Sequence, residues 1–234
     1  LNSNALSIAR FFVIQSGANN FADNMALDEA LLEAMPRLGM PVLRFYSWIE
    51  PSASFGYFQK YAEVERMTSL RPLVRRPTAG GLVPHDADWT YSLAFPTTHE
   101  WYSLTAIQSY EGVHRWIQSA FEMLNIQTDL APERRRAEAG QCFVGYEKFD
   151  VLWRGLKIAG AAQRRTRDGL LIQGSVQPSA MPLKRADWEY AMQEVATRES
   201  GVQWNTLILD NSFQERIQYL TRHKYSLATF NQKR

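Results

Sequence analysis

Apolar positions recur along this chain with two periods, one of helices and one of strands. Leu27, Ala30, Leu31 and Ala34 fall at helical spacing behind a cap at Asp23 or Asn24, which predicts a first helix stopped by Pro36. Runs at Val42–Trp48, Ser52–Phe58 and Trp89–Phe95 read as strands. A long helix is predicted from near Ser103 to about Leu124, with Ile107, Tyr110, Trp116 or Ile117, Ala120 and Leu124 inward. A three-strand meander follows. Phe149–Trp153 turns at Arg154-Gly155, Lys157–Arg164 runs back, and Asp168-Gly169 turns into Leu170–Val176. Further helices are predicted near Arg185–Ala196 and Ser212–His223. Helices at both ends of largely antiparallel strands give an α+β fold, and with no linker in view residues 1–234 are expected to form one domain.

Composition narrows the functional classes. A hydrophobic fraction of 45% supports a core, and no apolar run approaches the ~18 residues of a membrane helix. The opening residues lack the basic head and long apolar core of a signal peptide. A net charge of +2 falls short of a nucleic-acid footprint. Basic residues do cluster at Arg71–Arg76, Arg134–Arg136 and Arg164–Arg167, which suits an acidic partner. The lone cysteine, Cys142, excludes an intrachain disulfide, and a cytoplasmic setting is expected. Four scattered histidines and one cysteine make no metal-ligand pattern, so no metal site is expected.

The densest candidate chemistry lies between Arg75 and Ser92. Arg75 and Arg76 offer planar donors for carboxylate or phosphate oxygens. Gly80 and Gly81 allow close backbone approach to a ligand, and the pair His85-Asp86 adds polar groups before the next strand. The standard glycine-rich nucleotide fingerprints are absent. A second candidate is the row Lys157, Ala159, Ala161 and Gln163, which alternation puts on one strand face. It reads either as an edge lysine that discourages aggregation or as a slot for an apolar tail with an ammonium at its head. Cys142 likewise reads as a small buried hydrophobe or as a nucleophile.

Four segments in order carry a family resemblance: Asn24–Leu32, Leu43–Trp48 with Ser54–Gln59, RRPTAGGLVPHD, and Lys157–Arg165 closed by Gln173-Gly-Ser-Val. From about residue 11 to 180 the chain resembles the lipoate–protein ligase and octanoyltransferase family, related to biotin ligases. The resemblance implies a mixed, mostly antiparallel sheet flanked by helices, with an acyl tail in a tunnel. It implies that Arg75, Arg76, Thr78, Gly80, Gly81, His85 and Gln173 bind substrate. Lys157 would hold the acyl carbonyl, and Gly160 and Ala161 would lie beside the tail. Cys142 is placed like the nucleophile of cysteine-type octanoyltransferases, and a nearby ammonium such as Lys157 favours a thiolate.

Octanoyl transfer from acyl carrier protein to the lysine of a lipoyl-domain protein is therefore expected. The acceptor would be a glycine cleavage H protein or a 2-oxoacid dehydrogenase E2, the enzyme a monomer, and no cofactor would be needed. Two alternatives stay open. One is an ATP- and Mg-dependent lipoate–protein ligase working through lipoyl-AMP. The other is a non-catalytic paralogue that binds lipoyl domains or acyl chains, suggested by Ala79 where the family commonly has glycine, and by Pro84 and Trp89.

Overall fold

The computed structural model describes residues 9–135, 145–178 and 181–233. Strand β1 (Arg10–Asn19) leads into helix α1 (Phe21–Leu38), then β2 (Val42–Trp48) and β3 (Ser52–Phe55). Helix α2 (Tyr61–Met67), β4 (Leu73–Arg75), β5 (Val83–His85) and β6 (Trp89–Pro96) follow. Next come α3 (Glu100–Ser103), α4 (Ala106–Met123), β7 (Asp129–Leu130), β8 (Val151–Trp153), β9 (Leu156–Thr166) and β10 (Gly169–Val176). The chain continues through α5 (Arg185–Ser200), β11 (Gln203–Thr206), α6 (Asn211–Leu220), a π-helical turn (Thr221–Tyr225) and α7 (Ala228–Asn231).

Among the described residues, eight strands form one sheet in the order β11-β1-β2-β6-β10-β9-β8-β7. Strand β1 runs parallel to β11 and β2, and the other pairs are antiparallel. A smaller sheet, β4-β3-β5, packs beside it. This is the mixed, mostly antiparallel α+β arrangement the sequence predicts. Both faces of the main sheet are covered, and alternation in β2 shows how. Leu43 and Phe45 join a core under α4 and α5, while Val42 and Tyr46 join another under α1 and α6.

Several element boundaries differ from expectation. Helix α1 is capped by Asn20, whose Oδ1 accepts from the Asp23 N–H at 2.9 Å, three or four residues before the expected cap. Pro36 does not stop it, because a proline's fixed φ is helical and its missing N–H costs one bond. The helix ends instead at Gly39, which takes φ 64° and bonds Met35 O. Helix α4 starts at a capping box between Thr105 and Gln108. That start leaves Ile107 outward, 66% exposed, while Ile117 and Ala120 are buried as expected and Val113, His114 and Phe121 join them.

The meander forms as predicted, with two corrections. Arg154 and Gly155 take φ 51° and 76°, the paired left-handed conformation of a tight hairpin turn. In the second hairpin Gly169 pairs with Thr166, so the loop residues are Arg167 and Asp168. Gly169 is needed for another reason: a Cβ there would stand 2.4 Å from Phe95 O on the neighbouring strand. The second correction bears on the site and concerns β9.

Candidate active site

Leu152 pairs with Lys157, but Val151 pairs with Ala159, so β9 carries an extra residue opposite β8. This bulge breaks the alternation that would line up Lys157, Ala159 and Ala161. Ala159 is wholly buried in the core, and Lys157 swings beside Gly160 instead. Strand β9 also lies between β10 and β8, so Lys157 is not an edge-strand lysine.

The ammonium of Lys157 is held by Asp150, Nζ to Oδ2 2.7 Å, with the carboxylate wholly buried. Asp150 also accepts from the Glu147 N–H at 2.7 Å and from the Tyr110 hydroxyl. Burial, with the Asp150 charge next, pushes the Tyr110 hydroxyl pKa well up and keeps it a donor. Behind them His114 donates from Nδ1 to Tyr110 O, 2.8 Å away. Burial pushes its pKa down to about 4. Sequence reasoning missed Asp150. The signal was available: across a two-residue turn it lies diagonal to Lys157 on the same face.

A cavity of about 500 Å³ opens between the main and small sheets. Lys157, Gly160, Ala161 and Gln173 line it from β9 and β10, and Arg76, Gly80, Gly81 and His85 line it from the other side. Eight of the predicted site residues therefore meet around one space. Cys142, like Arg136, lies outside the described residues. The residues on either side, Arg135 and Gly145, both line the cavity.

Arg75 and Thr78 do not line it. The Arg75 guanidinium donates to Tyr57 O, Gln59 O and Asn231 O, bracing α7 and the turn after β3. Alternation in β4 explains the division, since adjacent residues face opposite ways. Thr78 sits one layer back and donates to Gln173 Oε1 at 2.8 Å.

Arg76 organises the glycine turn. It donates to Ala79 O and Gly81 O at 2.7 Å each and to Ser54 O at 3.2 Å. Every acceptor around it among the described residues is a neutral carbonyl or hydroxyl oxygen. Burial lowers its pKa to about 10, still charged at neutral pH. The left-handed position of the turn is Gly80, φ 87°, so Ala79 carries no strain there. Gly80 O packs so closely on Gly56 that a Cβ on Gly56 would stand 2.0 Å from it. The other two departures lie off the cavity. Trp89 packs on Trp188 in the core, and Pro84 sits in an edge strand, where its missing N–H costs no ladder bond.

A buried network fixes Gln173 from behind. Its Nε2 donates to Asp28 Oδ2 at 2.7 Å, and Asp28 also accepts from Arg44, Ser92 and Tyr46. Arg44 and Asp28 are both wholly buried. The apolar stripe of α1 does not by itself reveal this network. Asn24 and Asp28, four apart on one helix face, were the available sign.

His85 pairs with Asp88, Nδ1 to Oδ2 2.9 Å, while Asp86 is exposed. This corrects the expected His85-Asp86 pair, because adjacent strand residues point apart. The imidazole stacks on Trp48 with centroids 3.9 Å apart, and its Nε2 meets Ser54 Oγ at 2.8 Å.

Among the described residues, no group of three or more His, Cys, Asp or Glu is placed to hold a metal ion, and no helix is long and apolar enough to cross a membrane. The chain is similar to several known proteins. An octanoyltransferase LipM of Carboxydothermus hydrogenoformans is 37% identical over 161 residues, 66% of this chain and 60% of that protein. Its counterpart in Oceanobacillus iheyensis is 36% identical over 169 residues, 70% of this chain and 62% of that protein. The chain thus spans about 60% of the length of these curated relatives. Protein Ta0514 of T. acidophilum, solved with bound lipoic acid, shares the fold at a TM-score of 0.75 and 18% identity, over 96% of this chain and 99% of that one. The family model described as the lipoyl protein ligase A/B catalytic domain matches residues 20–181. With that match spanning most of the chain, the protein belongs to the lipoyl protein ligase A/B catalytic domain family.

Proposed function

We propose that this chain transfers an octanoyl group from an acyl carrier protein to the acceptor lysine of a lipoyl-domain protein, through a thioester on Cys142. The observation that carries the reading is Lys157, an ammonium anchored on buried Asp150 at the wall of the cavity beside Gly160 and Ala161. Small residues leave room for an alkyl chain, and the ammonium offers hydrogen bonds to a carbonyl at its head. The likeness to octanoyltransferases favours an octanoyl donor.

In this reading the Cys142 thiolate attacks the octanoyl carbonyl, the carbon–sulfur bond to the carrier breaks, and the carrier's thiolate takes up the proton that Cys142 gave up on ionising. The acceptor lysine amine then attacks the Cys142 thioester, an amide forms, and the thiol is restored. Negative charge grows on the carbonyl oxygen in both steps, where Lys157 stabilises it. In sequence Cys142 lies three residues before Gly145, which lines the cavity. Gln173 and Arg76 shape the wall, and Arg75 and Thr78 support them from outside. Acceptors of this chemistry are the glycine cleavage H protein and the E2 subunits of 2-oxoacid dehydrogenases.

The test is transfer from octanoyl-acyl carrier protein to a lipoyl-domain acceptor, with and without ATP and Mg. Transfer without ATP supports the reading. Transfer only from free lipoate or octanoate with ATP would replace it with ligase chemistry, and no transfer under either condition would favour a binding role.

A further inference from the structure

Two side chains on the cavity wall and a third behind them make a constellation that the transfer chemistry leaves unused. Ser54 Oγ lies 2.8 Å from His85 Nε2, and His85 Nδ1 lies 2.9 Å from Asp88 Oδ2. All three residues are buried, and Ser54 and His85 line the cavity. Asp88 Oδ2 also accepts from the hydroxyls of Thr90 and Ser175, at 2.9 and 2.7 Å. An acceptor at Nδ1 selects the tautomer with its proton there, which leaves Nε2 to accept the Ser54 hydroxyl. That is the order of roles in a serine nucleophile, its base and the carboxylate that orients the base.

Two further features favour chemistry over simple bracing. The Trp48 ring stacked on His85 fixes the plane of the imidazole. Arg76 Nη1 donates to Ser54 Oγ at 3.3 Å, so a cation with neutral acceptors stands beside the nucleophile. A cation there favours an alkoxide and the oxyanion that forms when it attacks a carbonyl.

We propose that Ser54, His85 and Asp88 form a second acyl-accepting centre, which hydrolyses medium-chain acyl thioesters or esters that enter the cavity. Ser54 Oγ bonds to the acyl carbon and its proton moves to His85 Nε2. The carbon–sulfur or carbon–oxygen bond to the leaving group breaks, and that group takes the proton. Water, deprotonated by His85, then attacks the serine ester, which releases the carboxylic acid and restores the hydroxyl. The medium-chain acyl class rests on the function proposed above, whereas the serine centre does not, so the two fail separately.

The experiment uses the full chain carrying Cys142→Ala, so that no thiol competes. An alkyl fluorophosphonate probe is added, the labelled peptide is sequenced by mass spectrometry, and p-nitrophenyl octanoate hydrolysis is followed in parallel. Labelling at Ser54 is expected, lost in Ser54→Ala and slowed about 10²-fold or more in Asp88→Asn. Hydrolysis should fall with it, while thermal melting stays close to the parent. Should Ser54→Ala fail to fold, Ser54→Cys in the same background should react with iodoacetamide at least about tenfold faster than when His85→Gln is added, because the base activates the thiol. Absence of labelling, labelling that survives Ser54→Ala, or hydrolysis unchanged by it would each overturn the proposal and leave the three residues as a brace for Trp48. Failure of octanoyl transfer in the ATP-free assay would leave this result untouched.

Discussion

Asp150 Oδ2 stands 2.7 Å from Lys157 Nζ, with one partner wholly buried and the other side chain 19% exposed. Removing the ammonium alone strands a buried carboxylate, which costs about 3–5 kcal/mol when a buried pair is broken. Lys157→Met should therefore melt below the parent. Adding Asp150→Asn should restore most of the melting temperature, because the charge left unpaired is gone. Transfer by the double variant should remain about 10² to 10³ lower, the usual cost of losing one oxyanion donor. A double variant that melts normally and transfers at the parent rate would remove Lys157 from the chemistry.

Two glycines separate effects on the site from effects on the fold. A Cβ at Gly160 would meet Lys157 Cε and Nζ at 2.8 Å, the movable end of a side chain. Gly160→Ala should fold, displace the ammonium, and slow transfer by about 10-fold or more. A Cβ at Gly174 would stand 2.2 Å from the buried Tyr91 ring. Gly174→Ala should cost about 1–3 kcal/mol or more by overpacking. Thermal melts beside single-turnover transfer distinguish the two, and equal destabilisation by both would contradict the account.

His114 supplies a pH dependence of stability. Its folded pKa is pushed down to about 4 from 6.5, chiefly by burial. Below pH 6.5 the unfolded chain binds a proton that the folded chain refuses, so stability falls as pH drops from 6.5 toward 4. The loss is on the order of 3 kcal/mol. His114→Phe keeps an aromatic ring beside Tyr110 and should flatten that slope. Urea midpoints at pH 7 and pH 4.5 measure it, and identical slopes in both proteins would refute the assignment.

The arginine clusters divide once the fold is known. Arg165 donates to Leu104 O and Ser109 Oγ, and Arg164 to Pro77 O, so both serve the structure. Arg167 and Arg134 have side chains 95% and 58% exposed. Arg134→Glu with Arg167→Glu should raise the apparent KM for an acidic carrier protein more than it lowers kcat, with a gap that narrows as salt rises. Arg165→Ala should instead lower the melting temperature. A KM indifferent to charge and salt would dispose of electrostatic docking.

The apolar pattern carried the architecture well. The meander, the buried strand β6, and helices α1, α4, α5 and α6 were legible, because local period and turn chemistry decide them. Side-chain partners were not. The bulge that turns Lys157 toward Gly160 depends on pairing with β8, which one strand's sequence does not specify. Arg75 and Arg76 look alike as a motif, yet alternation sends one to α7 and the other to the cavity. Ser54 meets His85 through the pairing of β3 with β5, and Asp88, three residues after His85, is held there by Ser175 of β10, contacts that no single segment's sequence displays.

The central claim, a covalent octanoyl intermediate on Cys142, is tested most directly by intact-protein mass spectrometry after mixing the chain with octanoyl-acyl carrier protein. The account predicts one octanoyl adduct that hydroxylamine removes, that a lipoyl-domain acceptor discharges, and that Cys142→Ala lacks together with transfer. A Cys142→Ala protein that transfers octanoyl at the parent rate would contradict it.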